Sequence, residues 1–238
     1  MENQKSDKDD KDVLPRKFTH VIFDMDGLIL DTERIYTEIY DRVAEAHGGK
    51  YCWEIKVQLM GRPGKEGNRL AVELMNLPIT PEQFYQEQQV HKEELFPQAN
   101  VLPGADKLIR HLHKHNIPIA VASGSFHKDY LVKTTKHREL FELFPIKVFG
   151  DDPDLKRGKP FPDQFILTSS KFADSPIPEN VLVFEDSSNG VLAAKAAGMG
   201  VVMVPDRRLD EKLYNNPTQV IFSLEDFKPE LFGFPPYE

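Results

Sequence analysis

Hydrophobic residues follow different spacings in three consecutive parts of the chain. A short continuous run, Val21 to Phe23, is typical of a strand buried on both faces. From Thr32 to about Asn100, apolar residues recur every three or four positions, which predicts only helices. From Leu102 onwards, short apolar runs alternate with helical patterns. The chain is therefore predicted to form one strand, then an all-helical segment, then an alternation of strands and helices.

Start and stop signals divide the all-helical segment into predicted helices. The helix ends are marked by Gly48-Gly49, Gly61 and Pro78. Thr80 is predicted to be the N-cap of the last helix, because Pro81 follows at the first helical position and Gln83 at the third. This helix should run towards Phe96.

The alternation after Leu102 predicts an α/β fold. Predicted strands are Ile117 to Ala122, Ile146 to Phe149, Val181 to Phe184, Val201 to Val204 and a short edge strand, Val220 to Phe222. Predicted helices begin at Pro103 and cover His127 to Leu140, Pro162 to Phe172 and Ser187 to Ala197. Continuously apolar strands that alternate with helices indicate a doubly wound, Rossmann-like parallel sheet covered on both faces. We expect a core of residues 16–32 and 101–238 with an inserted all-helical cap, residues 33–100.

Composition excludes some classes of function. The 238 residues include 30 Lys and Arg against 38 Asp and Glu, a formal net charge of -8. A general nucleic-acid binder needs a basic face, so we expect no nucleic-acid partner. The single cysteine, Cys52, excludes an intrachain disulfide and fits a reducing compartment. No run approaches the roughly 20 apolar residues that a membrane helix requires, so we expect no membrane partner.

The first residues are polar and carry interleaved lysines and aspartates. They lack the apolar stretch of a secretory signal, and their acids argue against a mitochondrial presequence. We therefore predict a disordered tail over residues 1–15 and a cytoplasmic protein.

Carboxylates crowd the end of the first strand. Asp24, Asp26, Gly27 and Asp31 follow Phe23 directly. In open α/β sheets ligands bind beyond the carboxyl ends of the strands, so chemistry is expected here. Mutually repelling acids raise each other's pKa or bind a cation, and ligands of oxygen alone suit Mg²⁺. A solvated acidic turn, a Ca²⁺ loop and a sugar-nucleotide site are the alternatives that this stretch leaves open.

Other polar residues follow the later strands. Ser123-Gly124-Ser125 is a possible phosphate cradle or a helix cap, and Lys159 is a phosphoryl ligand or a solvated loop residue. Glu185-Asp186 is a metal-binding pair or a helix cap. A parallel sheet brings all of them to the edge that holds Asp24. This set suits phosphoryl transfer to a carboxylate, in which one acid attacks phosphorus, cations neutralise the phosphoryl oxygens and a second acid protonates the leaving alcohol.

These residues, in this order, resemble the four motifs of the haloacid dehalogenase-like phosphatases. By this resemblance Asp24 is the nucleophile, and Asp26 is the general acid and later the base that activates water. The resemblance also implies that Mg²⁺ is held by the Asp24 side chain, the Asp26 backbone carbonyl and Asp186, with Glu185 nearby or bridging through water. Phosphate-binding residues are then Ser123, Gly124 and Lys159.

The helical segment is similar to the cap of the subgroup that includes β-phosphoglucomutase and small sugar-phosphate phosphatases. The resemblance implies a monomeric, Mg²⁺-dependent phosphomonoesterase that acts on a small phosphorylated metabolite. The expected substrate is a nucleoside or sugar monophosphate, and the first candidate is pseudouridine 5′-phosphate. Arg62 and Glu66 are the cap residues expected at the substrate, with a solvated turn as the alternative. A phosphosugar mutase and a non-catalytic binding protein of the same fold are the alternative functions.

Overall fold

A six-stranded, entirely parallel sheet forms the centre of the fold. The computed structural model describes residues 17–59 and 64–238, with only the backbone described at residues 64 and 65. The strands are β1 (His20–Phe23), β2 (Ile119–Ala122), β3 (Ile146–Val148), β4 (Val181–Glu185), β5 (Gly200–Met203) and β6 (Gln219–Val220). Their spatial order is β3-β2-β1-β4-β5-β6, so β1 lies between β2 and β4. The predicted fold class is confirmed.

Both faces of the sheet are buried. Successive strand residues point to opposite sides, so each strand contributes side chains to both cores. Val21 and Phe23 face one core, which includes residues of α5 (Ala105–Lys114) and α7 (Arg138–Glu142) and the C-terminal segment. Ile22 faces the other core, which includes residues of α8 (Asp163–Ser170) and α9 (Ser188–Ala196). Each fully buried aliphatic or aromatic side chain contributes roughly 1.5–3 kcal/mol, so the two cores fix the strand ends rigidly.

The segment between β1 and α5 contains helices and no strand in the part that the structure describes. The helices are α1 (Thr32–Ala46), α2 (Trp53–Leu59), α3 (Gly64–Leu74) and α4 (Pro81–Leu95), followed by a short 3₁₀ helix, Phe96–Gln98. They share a small core that includes Val43, Ala71 and Phe84. The predicted cap of Thr80 is present, since its hydroxyl accepts from the Gln83 amide and the Gln83 side chain accepts from the Thr80 amide. The exact cap limits, residues 33–100, stay a prediction.

The structure corrects two predicted elements. The helix expected from His127 to Leu140 is two short helices, α6 (His127–Lys133) and α7. The hydroxyls of Thr134 and Thr135 bond back to carbonyls of the preceding turn, and such local bonds compete with continuation of a helix. The edge strand begins one residue earlier than predicted and is only two residues long, because pairing with β5 ends at Val220.

The predicted tail, residues 1–15, lies outside the described residues. No helix in the described ranges is long and apolar enough to cross a membrane.

Candidate active site

Lys159 connects the carboxylates that end two neighbouring strands. Its Nζ donates to Asp24 Oδ1 at 2.6 Å, to Glu185 Oε1 at 2.6 Å and to the carbonyl of Ala122 at 3.0 Å. The strands β1 and β4 pair in parallel, so Asp24 and Glu185 leave the sheet at the same edge. The lysine side chain is only 11% exposed. The alternative of a solvated loop lysine is therefore wrong.

The charges around Asp24 do not balance. Burial is the main reason that the pKa of Asp24 is raised to about 8; Lys159 lowers it, and Glu185 and Asp26 raise it further. Burial also raises the pKa of Asp186 well above its usual range, and the charges of Glu185 and Asp24 add to the effect. One lysine thus serves a group of carboxylates, and a further cation would relieve their repulsion.

The carboxylate of Glu185 is fully buried and surrounded by donors. Its Oε2 accepts from the backbone amides of Asp186 and Ser187 and from the Ser187 hydroxyl, each at 3.0 Å. A Cβ at Gly190 would lie 1.8 Å from the carboxyl carbon of Glu185, so only glycine leaves room for this side chain. The N-cap of α9 is Ser187, whose hydroxyl accepts from the Gly190 amide. Helix capping therefore does not explain Asp186.

The residues predicted to hold Mg²⁺ fit that ion by their chemistry. At Gly27, where φ is +78°, a Cβ would lie 2.2 Å from Asp186 Oδ2, so this glycine leaves the space that the carboxylate occupies. Among the described residues, no group of three or more His, Cys, Asp and Glu side chains is arranged to hold a metal by side chains alone. The Asp26 backbone carbonyl and water would therefore have to complete a set of hard oxygen ligands with Asp24 and Asp186.

Asp26 has a separate set of partners. Its Oδ1 accepts from Lys133 Nζ at 2.5 Å and from the Thr32 hydroxyl at 2.7 Å. Its Oδ2 accepts from the hydroxyls of Ser123 at 3.0 Å and Ser125 at 2.7 Å. Burial would raise the pKa of Asp26, but Lys133 and the hydroxyl donors outweigh it and lower the pKa below its usual value. The two aspartates, predicted as a pair, are thus held by different lysines.

Ser123 lies at the end of β2 and is fully buried. The N-cap of α6 is Phe126, so the alternative in which Ser123 caps the helix is wrong. The buried Gln164 side chain donates to the Ser123 carbonyl at 2.6 Å and fixes the backbone of this loop. Gly124 is exposed, and a Cβ there would meet nothing within 4 Å. Open space beside this glycine suits the approach of a ligand to the backbone.

A cavity of about 450 Å³ lies beside Asp186, and Asp24, Ser123 and Lys159 are not part of its lining. Its walls include Asp186 and Gly27 from the strand ends, Glu33 and Lys56 from the helical segment, and Asp206 beyond β5. Small-molecule sites commonly have volumes of roughly 300–1,000 Å³. Of the predicted cap residues, Glu66 is exposed in the first turn of α3, and Arg62 lies outside the described residues.

Sequence reasoning missed Lys133, Ser125 and Thr32 as partners of Asp26. No local signal marks Lys133, because its neighbours at helical spacing, Asp129, Lys136 and His137, are polar. Nothing local distinguishes the hydroxyls of Thr32 and Ser125 from ordinary helix-capping groups.

Comparison with known proteins identifies the family. The sequence model described as haloacid dehalogenase-like hydrolase matches residues 18–198. (DL)-glycerol-3-phosphatase 2 of Arabidopsis thaliana is 48% identical over 223 residues, which cover 92% of this chain and 93% of that protein. The Drosophila melanogaster protein named "probable pseudouridine-5′-phosphatase" is 47% identical over 223 residues, covering 93% of this chain and 96% of that protein.

A solved structure agrees with the fold. The β-phosphoglucomutase of Clostridium difficile superposes with a TM-score of 0.72 at 22% identity, and the match covers 90% of this chain and 94% of that one. The predicted family and the prediction of a phosphatase are confirmed by the sequence matches. The chain belongs to the haloacid dehalogenase-like hydrolases.

Proposed function

We propose that the protein is a Mg²⁺-dependent phosphomonoesterase that works through an aspartyl-phosphate intermediate on Asp24. The observation that carries this proposal is the ion-paired arrangement at the sheet edge, where Lys159 holds Asp24 and Glu185 at 2.6 Å each. A buried lysine beside a carboxylate provides positive charge where the oxygens of an incoming phosphoryl group would lie.

The reaction has two steps on the same phosphorus atom. In the first, a carboxylate oxygen of Asp24 forms a bond to phosphorus while the bond to the leaving alcohol breaks, and Asp26 gives that alcohol a proton. In the second, Asp26 takes a proton from water, whose oxygen attacks phosphorus and releases Asp24 and inorganic phosphate. The phosphate dianion would raise the pKa of Asp26, which this structure holds ionised, and would favour its protonation before the first step.

Mg²⁺ would be held by the side chains of Asp24 and Asp186 and the backbone carbonyl of Asp26. When bound, it would supply positive charge for the phosphoryl oxygens and lower the pKa of the Asp24 carboxyl. Glu185 is proposed to hold Lys159 in place as well as to lie near the metal. Its oxygens already accept hydrogen bonds from Lys159 and from the amides of residues 186 and 187. Lys159 and the loop of Ser123 and Gly124 would bind the phosphoryl group.

Pseudouridine 5′-phosphate is the first proposed substrate, and glycerol 3-phosphate is the second. The two relatives named for these activities are 47% and 48% identical to the chain, a difference too small to choose between them. Comparing kcat/KM for the two esters under one set of conditions decides the preference.

The main test is release of inorganic phosphate with and without Mg²⁺, for the wild type and for Asp24→Asn. The amide keeps the shape of Asp24 but does not attack phosphorus, so turnover should fall to below a few per cent. Asp106→Asn is a matched control, since it removes an exposed carboxylate on α5. Substantial Asp24→Asn activity would refute the covalent route. Isomerised sugar phosphate without phosphate release would instead support the mutase.

Specificity is proposed to come from the helical cap, because Asp24, Asp26, Ser123, Lys159 and Asp186 all lie outside it. Glu66→Ala and Arg62→Ala should then lower kcat/KM for the preferred nucleotide much more than for an aryl phosphate. Parallel losses on both esters would mean that these residues support catalysis generally. No effect on either ester would mean that this stretch is a solvated turn.

A further inference from the structure

A buried lysine that the proposed reaction does not use directly lies beside Asp26. The side chain of Lys133, the last residue of α6, is completely buried. A lysine ammonium is costly to bury unless its charge is paired and its hydrogen bonds are made. Asp26 is its ion-pair partner, so the position of this lysine bears on the orientation of the proposed general acid.

All three ammonium hydrogens of Lys133 have acceptors. Its Nζ donates to Asp26 Oδ1 at 2.5 Å, to the Ser125 hydroxyl at 2.7 Å and to the Tyr36 hydroxyl at 2.9 Å. The Ser125 hydroxyl in turn donates to Asp26 Oδ2 at 2.7 Å. The lysine therefore contacts one carboxylate oxygen directly and the other through a serine, which fixes the plane of the carboxylate.

Two aromatic rings enclose the same ammonium group. Its Nζ lies 4.7 Å from the ring centre of Tyr36 and 4.5 Å from that of Phe96, and the two rings pack edge to face. Tyr36 belongs to the first helix of the all-helical segment, and Phe96 begins the 3₁₀ helix that ends it. Lys133 thus contacts residues near both ends of the helical segment, close to where the chain passes between this segment and the sheet domain.

We propose that Lys133 is a positioning residue for Asp26, and that its contacts with Tyr36 and Phe96 make the orientation of the Asp26 carboxylate depend on how the helical segment packs on the core. This inference rests on the proposed function, because it assumes that Asp26 protonates the leaving group. Lys133 itself does not contact the phosphoryl group in this proposal. It acts only through Asp26.

The alternative is that Lys133 serves stability alone. Removing it would then lower activity on every ester equally, since the loss would follow from a less ordered site. Positioning of a proton donor makes a different prediction. The loss should be large for alkyl esters, whose leaving alkoxide needs a proton, and small for p-nitrophenyl phosphate, whose leaving group needs little protonation.

The experiment compares Lys133→Met with Lys92→Met on glycerol 3-phosphate and p-nitrophenyl phosphate. Lys92 is a matched control, because its Nζ lies 5.8 Å from the same two ring centres but is paired with Asp129 and not with Asp26. We expect Lys133→Met to lower kcat on the alkyl ester about 10- to 100-fold, the effect of losing one charge-assisted contact, with KM changed less than about threefold. On the aryl ester its loss should be below about threefold, and Lys92→Met should stay within about threefold on both.

A double-mutant cycle on phenyl phosphate, an ester of intermediate leaving group, adds an independent readout. If Lys133 acts through Asp26, Lys133→Met should slow the wild type but have little further effect on Asp26→Asn. Additive losses in this cycle would overturn the proposal, as would equal losses of Lys133→Met on alkyl and aryl esters.

Where Lys133→Met fails to fold, Tyr36→Phe decides the question, since it removes one acceptor of the ammonium group and keeps the ring. We expect a loss of about threefold to tenfold that is confined to the alkyl ester, and no loss would overturn the proposal. A wild type that releases no phosphate in an Asp24-dependent way would refute the proposed function itself, and this inference with it. If the wild type is active and Lys133→Met does not lower kcat on the alkyl ester, only the inference is refuted.

Discussion

Lys159→Met removes the one cation that joins Asp24 to Glu185. Methionine keeps a long unbranched side chain in a site where the lysine Nζ lies 5.0 Å from the Phe165 ring centre, so packing should change little. The substitution removes three hydrogen bonds, two of them to carboxylates at 2.6 Å. We expect a large loss of turnover together with a measurable loss of stability.

The size of both effects can be reasoned from the geometry. Removing a preorganised electrostatic contact costs roughly 2 to 4 kcal/mol of transition-state stabilisation, which is about 30- to 1,000-fold in kcat/KM. Breaking a buried ion pair costs about 3–5 kcal/mol of folding free energy when the remaining charge stays unpaired. Asp24 is able to take up a proton, since its pKa is already raised to about 8. The loss of folding free energy should therefore be about 3 kcal/mol or less, the lower end of that range.

The assay is kcat/KM for phosphate release, with urea unfolding measured in parallel. Lys171→Met is the matched control, because Lys171 forms a partly exposed ion pair with Asp152 at 3.5 Å, outside the site. It should change kcat/KM less than about twofold and unfolding by less than about 1 kcal/mol. A loss of less than tenfold in kcat/KM for Lys159→Met would refute the role of Lys159 at the phosphoryl group and would mean that it forms only a structural ion pair.

Three further predictions concern the same strand ends. Asp186→Asn removes a carboxylate proposed to bind Mg²⁺ and should raise the Mg²⁺ concentration for half-maximal activity at least tenfold; an unchanged metal dependence would place the metal elsewhere. Gly190→Ala puts a Cβ into the carboxylate of Glu185 and should cost about 1–3 kcal/mol in urea unfolding, whereas Gly158→Ala, which meets nothing within 4 Å, should cost little. Without metal, the raised pKa of Asp24 means that the folded chain keeps a proton that the unfolded chain has lost. The free energy of unfolding should therefore fall as pH rises from about 4 to about 8, with Asp24 contributing at most about 1.4 kcal/mol per pH unit. Asp24→Asn should make this slope shallower, while Asp186, whose pKa is also raised, keeps its own contribution; a slope equal in both proteins would assign it to other groups.

The sheet and the convergence of its polar strand ends were predictable because they depend on short-range patterns. Continuous apolar runs such as Val181 to Phe184 mark buried strands wherever they occur. Parallel pairing then brings residues distant in sequence to one edge, as it does for Asp24 and Glu185. The burial of Lys159 was not predictable locally, since the loop around it also contains exposed Lys156 and Arg157.

The partners of Asp26 were not predictable because each depends on tertiary placement. Lys133 is the last residue of α6, directly before the break of the predicted long helix at Thr134 and Thr135. Helix propensity and spacing did not reveal that break, which comes from side-chain hydroxyls that bond back to the helix. The sequence also left Thr32 as an ordinary residue at the start of a helix, although its hydroxyl contacts Asp26 at 2.7 Å.

Two lysines divide the acids of the site, and the pKa values of the two aspartates are shifted in opposite directions. Burial raises the pKa of Asp24 and the charges of Glu185 and Asp26 add to it, although Lys159 lowers it. Burial would also raise the pKa of Asp26, but Lys133 and the hydroxyl donors outweigh it and lower that pKa. The proposed roles require the reverse, an ionised nucleophile and a protonated acid. A divalent cation beside Asp24 lowers its pKa, and a phosphate dianion beside Asp26 raises that of Asp26. Under the proposed mechanism, Asp24 and Asp26 would therefore reach the required protonation states only when the cation and the phosphate ester are both bound.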